Sequence, residues 1–340
     1  MSIKEDLEIF LITYNRLEYL TNTFKQLLAD DSPVKDFQIT VLDNNSTDGT
    51  SEFLQGLSQK HPNINHIINK YNIGVSANSI KPFEMASKKY FWQICDDDFY
   101  DWSNWHEVEK AIENENEIIC VTRFIFDIDN KQNLADIILQ LSFIPAGIYK
   151  TSSMNDTLAR NLYETVYSLF PYMAITLEIV NKERGRNIYV CSKSIVNMGT
   201  PLHPEIDLSY TRGSELNTLC SRTRTMGWLP GWCNIVSIIE DKNLKSELIE
   251  IGYKKVLWAK DFDDLISRFV YPYIYNKESW RHLMDIYVQL DKVKQTKFIN
   301  IILKLFLVEN TQKVFLIKNE GNHKVLRFLG ISAKFRRRTT

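Results

Sequence analysis

Three consecutive carboxylates, Asp96, Asp97 and Asp98, follow directly on the apolar run Tyr90-Phe91-Trp92-Gln93-Ile94-Cys95. Neighbouring like charges repel and each resists leaving water, so such a triplet at the end of a buried strand is expensive. A divalent cation relieves that cost. Ligation by oxygen alone suits magnesium or manganese, hard ions that also bridge the two phosphates of a nucleotide diphosphate. The competing reading is a solvated acidic turn. Asp43 ends a second run, Gln38 to Leu42, where it can accept a hydrogen bond from a base or ribose. The residues behind it, Asn44-Asn45-Ser46-Thr47, would serve equally well as a plain Asx-turn. Tyr14 can stack on a pyrimidine or cover the adjacent helix. Asn72, Gly74 and Asn78 are candidates to line the same pocket, the glycine letting backbone approach a ligand closely.

The elements that must position these residues follow from the apolar pattern. Leu7 to Ile12 is a nearly continuous apolar run of the kind found in a parallel sheet covered on both faces. After Thr13-Tyr14-Asn15-Arg16, the pair Asn15 and Glu18 resembles a capping box, and Leu17, Leu20, Phe24, Leu27 and Leu28 recur at helical spacing. A second unit comprises the strand Gln38 to Leu42, the turn Asp43 to Gly49 and a helix carrying Phe53, Leu54 and Leu57. A third strand, His66-Ile67-Ile68, leads to Asn72-Ile73-Gly74 and a helical stretch through Ala86, within which Pro82 predicts a break or kink. The fourth strand is Tyr90 to Cys95. Strands and helices alternating at this length imply right-handed crossovers and a doubly wound, mostly parallel α/β sheet. Ligands in such sheets sit at the carboxyl ends of the strands, so the polar clusters after strands one, two and four converge on one crevice. Further strands are expected at Ile118 to Phe126, Phe143 to Tyr149 and Asn187 to Val190, with a helix ending near Gly185. Residues 1–240 are read as the nucleotide-binding and catalytic domain and 241–340 as a mainly helical region.

The chain of 340 residues, 44% hydrophobic and 12% aromatic, is enough to bury a substantial core. With 41 basic against 42 acidic side chains no global field recruits nucleic acid, and an anionic ligand must be held locally. The cysteines Cys95, Cys120, Cys191, Cys220 and Cys233 are odd in number and widely spaced, as in a reducing compartment. Lys4, Glu5 and Asp6 precede an apolar run too short for a secretion signal, and no stretch approaches the roughly 20 residues that span a bilayer. A cytoplasmic protein is expected. The lysine-interleaved apolar segment from Trp280 to Leu307 reads as a helical hairpin on the catalytic domain or as a peripheral membrane-surface helix. Lys334, Arg336, Arg337 and Arg338 read as a frayed cationic end.

Taken together and in this order, Thr13-Tyr14-Asn15-Arg16, Asp43 to Thr50, Asn72-x-Gly74-x-x-x-Asn78 and Asp96-Asp97-Asp98 closely resemble the GT-A glycosyltransferases of the large family 2 class. The resemblance covers roughly residues 7–105 and continues weakly to about residue 200. It implies an open sheet binding a nucleotide-diphospho-sugar, usually a uridine derivative, with the base near Tyr14 and Asp43. Thr13, Asn15, Asn72, Gly74 and Asn78 would line the donor site. The triplet matches the family's Asp-x-Asp motif in two registers: Asp97 or Asp98 would hold manganese or magnesium, and Asp96 the ribose. The implied activity is transfer to a hydroxyl of a glycan acceptor, with inversion as the family usually has it, in bacterial surface polysaccharide synthesis, with a lipid-linked acceptor as one form.

An inverting transfer needs a base for the acceptor hydroxyl. Inverting members usually carry a Glu-Asp pair where this chain has Phe170-Pro171-Tyr172-Met173. Glu164 is the first substitute, followed by Asp207 and Glu205, each of which also reads as an exposed charge. His203 would complete a metal site or simply precede a proline turn. Two rivals remain: a sugar nucleotidyltransferase, which would want a glycine-rich loop after the first strand, and a non-catalytic glycan-binding scaffold on the same fold.

Overall fold

The computed structural model describes residues 3–123, 133–199 except 184 and 186, 231–252, 295–296 and 299–300, and three strands between 315 and 336. The chain forms two compact units, Met1–Val256 and Leu257–Thr340.

In the first unit a short helix α1 (Ile3–Asp6) precedes β1 (Leu7–Thr13), every residue of which is buried. There follow α2 (Leu17–Leu27), β2 (Gln38–Asp43), α3 (Thr50–Lys60), β3 (Ile64–Ile68), α4 (Val75–Asn78), α5 (Lys81–Met85) and β4 (Tyr90–Cys95). After β4 come β5 (Phe99–Tyr100), α6 (Trp105–Glu113), β6 (Ile118–Cys120), α7 (Leu134–Gln140), β7 (Gly147–Lys150), α8 (Asp156–Glu164), α9 (Ala174–Glu183), β8 (Ile188–Val190), β9 (Val196–Asn197) and α10 (Lys242–Ile251). The main sheet runs β3-β2-β1-β4-β7-β6-β8. Its pairings are parallel except at β7, which is antiparallel to both β4 and β6.

Side chains alternate across the sheet. Leu7, Ile9 and Leu11 of β1, Ile39 and Val41 of β2 and Trp92 and Ile94 of β4 pack with Leu20, Phe24 and Leu27 of α2 and Val108 and Ile112 of α6 in one core cluster. Phe91, from a β4 position that alternates with these, stacks edge-on to Phe83 of α5 and tilts against Tyr149 of β7. Glu8 is the polar exception within β1. Its carboxylate is buried because it accepts hydrogen bonds from the backbone N–H groups of Ser87 and Lys88 ahead of β4.

Two local expectations are corrected. The start of α2 is not a capping box: Arg16 is the N-cap and makes no side-chain cap bond. Asn15 is in the left-handed region at φ 51° and its Oδ1 is taken by the Thr47 N–H at 2.7 Å, while Asp48 Oδ2 reaches across to accept from Leu17 N at 2.9 Å. The break expected in the stretch after Gly74 is present: it forms two short helices, and Pro82 lies in the first turn of the second, where its missing N–H costs nothing. The described residues between 315 and 336 are not helical. They form β10 (Phe315–Glu320), β11 (His323–Phe328) and β12 (Ile331–Arg336), an antiparallel three-stranded sheet. Lys334 and Arg336 therefore pair in a ladder, opposite Val325 and His323, and do not belong to a frayed end. The periods of β-strand and helix were confused because lysines interrupt the alternation there. The segment Trp280 to Leu307 lies, but for four residues, outside the described residues. Among the described residues no helix is long and apolar enough to cross a membrane.

Candidate active site

The loops leaving β1, β2, β3 and β4 lie side by side at the carboxyl edge of the sheet. Register brings Thr13 opposite Asp43 and Ile12 opposite Cys95. Thr13 Oγ1 donates to Asp96 Oδ2 at 2.7 Å in the interior. Arg16 then spans two carboxylates, Nη1 to Asp96 Oδ1 and Nη2 to Asp97 Oδ2, each at 2.9 Å.

The backbone of the triplet is held from α2. Thr23 Oγ1 donates to the Asp96 carbonyl at 2.7 Å, and the Gln26 amide bridges the Asp98 carbonyl and the Tyr100 N–H at 3.1 and 3.2 Å. Behind the turn, Tyr100 stacks on Trp102 with ring centroids 5.0 Å apart, and Trp92 and Trp105 close the aromatic cluster. From the other side, β9 pairs with β5 and delivers Gly199 against the triplet, where its N–H reaches Asp98 Oδ1 at 3.4 Å. A Cβ on residue 199 would meet the Asp97 carbonyl oxygen at 1.6 Å, so this close approach admits only glycine.

Burial dominates the electrostatics. It pushes the Asp96 carboxyl up to about 7 against the pull of Arg16, with Asp97 adding to the rise. For Asp98, burial and then the charge of Asp97 push the carboxyl up to about 8. Asp98 Oδ2 is buried and accepts no hydrogen bond among the described residues. The Cys95 sulfur and carboxylate oxygens of Asp97 and Asp98 lie within 4.8 Å of one another. A buried oxygen with lone pairs to give, in a cluster where three carboxylates face one guanidinium, fits a divalent cation.

The rest of the crevice is a lattice of amides. Asn44 Nδ2 donates to Asn72 Oδ1 at 2.7 Å, while Asn44 Oδ1 accepts from Asn69 Nδ2 and from Ile73 N, each at 3.0 Å. Asn69 Nδ2 also donates to Asn78 Oδ1 at 2.9 Å, Asn78 Nδ2 to the Leu42 carbonyl at 3.1 Å, and Lys81 Nζ closes on Asn69 Oδ1. Asn78 thus has both ends of its amide engaged within the protein, and it braces the loop. Gly74 has φ 82° with nothing within 4 Å of where a Cβ would stand, so its backbone conformation is what calls for glycine. Asp43 is fully buried; its Oδ1 accepts from Ser46 N at 3.1 Å and from Ser46 Oγ at 2.5 Å, and desolvation raises its pKa. Tyr14 stands partly exposed at the mouth.

The structure brings Thr13, Asn15, Asp43, Asn72, Gly74, Asn78 and the triplet to one edge, with Tyr14 between them. Glu164 is the exposed last residue of α8, and among the described residues no hydrogen bond or ion pair ties it to the crevice. Asp207, Glu205 and His203 lie outside the described residues. Pro171, Tyr172 and Met173 form a buried 3-10 turn into α9, so no carboxylate stands at that helix start. Thr23, Gln26, Asn69 and Gly199 carry no expectation from the sequence, and Arg16 enters there only as part of the Thr13-Tyr14-Asn15-Arg16 motif, without a role. Thr23 and Gln26, three apart on α2 beside the stripe Leu20, Phe24 and Leu27, carried a signal as polar residues flanking a buried face.

An open α/β sheet with carboxylates clustered beyond β4 and polar loops beyond β1 to β3 defines a nucleotide-sugar transferase of the GT-A architecture. The chain belongs to the glycosyl transferase family 2, whose family model matches residues 8–184, and it is a glycosyltransferase. In fold it is similar to S. aureus TarS 1-349 in complex with UDP-GlcNAc, with a TM-score of 0.61 at 12% identity over 97% of this chain and 99% of that one. It is also similar to the mannosyltransferase PcManGT from Pyrobaculum calidifontis in complex with GDP-Man and Mn2+, with a TM-score of 0.50 at 12% identity over 90% and 87% of the two chains. No curated protein matches the sequence.

Proposed function

We propose that the enzyme transfers a sugar from a nucleotide-diphosphate donor, a UDP-sugar, to a hydroxyl of a glycan acceptor with inversion, using a divalent cation held by Asp97 and Asp98. The observation that carries this reading is Asp98 Oδ2, buried beside Asp97 with no hydrogen-bond partner among the described residues, at the edge where the loops of β1 and β2 meet. A bound manganese or magnesium ion would neutralise charge on the departing diphosphate. Arg16 holds Asp96 and Asp97 in place, which makes Asp96 a support for the carboxylates that follow it as well as a candidate ribose contact. Tyr14 is exposed just beyond β1, where a base would stack, and Asp43 ends the neighbouring strand in register with Thr13.

The base that takes the acceptor proton is assigned to a carboxylate outside the start of α9, with Glu164 and Asp207 as the candidates. A surface-polysaccharide acceptor, lipid-linked and met at the cytoplasmic face of a membrane, is the pathway this reading implies. The donor is supported by the likeness to TarS, which is described in complex with UDP-GlcNAc.

The test is a thermal-shift panel of UDP, GDP, dTDP and CDP, each with and without Mn2+, on the wild type and on Asp97→Ala with Asp98→Ala. At a hundredfold excess over Kd, binding stabilises by about 2.7 kcal/mol, a shift of several degrees. UDP is expected to give that shift only with metal and only in the wild type. An equal shift in the double variant refutes the assignment of the cation site.

A further inference from the structure

We propose that the Cys95 thiol is a third donor to the cation at Asp97 and Asp98, so that the site prefers thiophilic divalent ions such as Cd2+ and Co2+ over Mg2+. The inference rests on the cation site proposed above and adds a residue and a metal selectivity to it.

Cys95 closes β4, immediately before the triplet. Its Sγ and one carboxylate oxygen from each of Asp97 and Asp98 are mutually within 4.8 Å. Three atoms at that separation lie no more than about 2.8 Å from a common centre, so a closure of at most about 0.5–0.7 Å brings them to metal–sulfur bonds near 2.3 Å and metal–oxygen bonds near 2.1 Å. Two further observations point to the same place. Asp98, itself almost wholly buried, keeps Oδ2 without a hydrogen bond among the described residues. Of the described cysteines, Cys95 alone is not fully buried, whereas Cys120, Cys191 and Cys233 are sealed in the interior. Burial and the neighbouring carboxylates push the Cys95 thiol up, so the sulfur gives up its proton only to a cation that sits against it and those carboxylates together. Three carboxylates and the Cys95 thiolate against the Arg16 guanidinium carry three formal negative charges, two of which a dication cancels.

A sulfur donor changes which dication that is. Magnesium takes oxygen ligands and gives up its waters reluctantly, while thiolate favours softer ions. As the sulfur–metal bond forms, the thiol proton passes to solvent and no oxidation state changes.

The test titrates Cd2+ into the full-length protein and follows the ultraviolet sulfur-to-cadmium charge-transfer band, with Mn2+ affinity measured in parallel by competition. A saturable band of one ion per chain is expected in the wild type and none in Cys95→Ser. The ratio of Cd2+ to Mn2+ affinity should fall at least about tenfold in that variant. Asp98→Asn should weaken Cd2+ binding at the same site. In the wild type, with no substitution at all, Cd2+ should slow alkylation of Cys95 mapped by mass spectrometry. Absence of the band, its persistence in Cys95→Ser, indifference to Asp98→Asn, or unprotected alkylation each overturns the inference. Any of these alongside intact Mn2+-dependent UDP stabilisation removes only the sulfur ligand and leaves the transferase reading standing. Loss of that stabilisation in the wild type overturns both.

Discussion

Replacing Gly199 by alanine should disable the cation site while leaving the fold in place. The added Cβ would stand 1.6 Å from the Asp97 carbonyl oxygen and 2.8 Å from its carbonyl carbon. Real Cβ contacts start near 3.0 Å, so either the β9 end or the Asp97 backbone must retreat by at least 3.0 − 1.6 = 1.4 Å. The triplet is clamped by Thr23 and Gln26, and the 199 end is tied to it through the N–H bond to Asp98, so the strain falls on the carboxylates. A displacement of about 1 Å at reacting groups can cost roughly a hundredfold, and ligand sets tolerate about 0.5 Å. A fall of about a hundredfold in kcat/KM is expected, with Mn2+-dependent nucleotide affinity reduced in step. Overpacking costs about 1–3 kcal/mol, so the melting temperature should drop by only about 2–10 °C. Gly56→Ala is the control. It lies within α3 with no atom within 4 Å of the new carbon, and alanine there should be neutral or stabilising by about 0.5–1 kcal/mol. Calorimetric titration of Mn2+ and UDP into both variants decides the matter: wild-type constants in Gly199→Ala would refute the reasoning.

Arg16→Met leaves Asp96 buried without its cation and should destabilise the protein by about 3 kcal/mol in urea melts, less at pH 6 than at pH 8 because Asp96 can take up a proton; equal losses at both pH values would contradict this. For Asp98 the folded carboxyl titrates near 8, above its ordinary value, so its contribution to apoprotein stability is full below about pH 4 and is lost as pH rises through about 8. A dication at the proposed site would take the proton's place, and thermal stabilisation by Mn2+ should accordingly grow between pH 6 and pH 8.5; a flat profile would count against Asp98 as a ligand. Asn69→Leu removes the donor shared by Asn44 and Asn78 and strands the Asn78 acceptor, while Asn44 Oδ1 keeps the Ile73 N–H; the cost should be about 1–3 kcal/mol in denaturant melts, and a loss below about 0.5 kcal/mol would show that the amide lattice adds nothing to stability.

The donor half was legible because its signals are local. β1, β2 and β4 are apolar runs bounded by polar turns, and the carboxyl-edge rule then places Asp43 and the triplet together whatever the details of packing. The cap of α2 was misread because the partner that satisfies Leu17 comes from Asp48, across the sheet, and no spacing within a helix reports a bond between loops. Gly199 carried no signal for a similar reason: its requirement arises from a carbonyl about a hundred residues earlier in the chain. The reversed direction of β7 was equally invisible, since a buried strand has the same composition whichever way it runs. In the terminal sheet, Lys318, Lys324 and Lys334 dilute the alternation that would have marked β10 to β12 as strands.

The order in which strands join the sheet also bears on how the molecule is made. β1, β2 and β3 pair in sequence, and β4 then returns to the free side of β1, so all four crevice loops exist once Asp98 has left the ribosome. The brace supplied by Gly199 arrives roughly a hundred residues later, and at synthesis rates of about 5–20 residues per second that interval lasts about 5–20 s. During it the nascent chain carries a like-charged triplet held from α2, Arg16 and Thr13 but without Gly199, a period in which a captured cation would favour the native turn over its competitors.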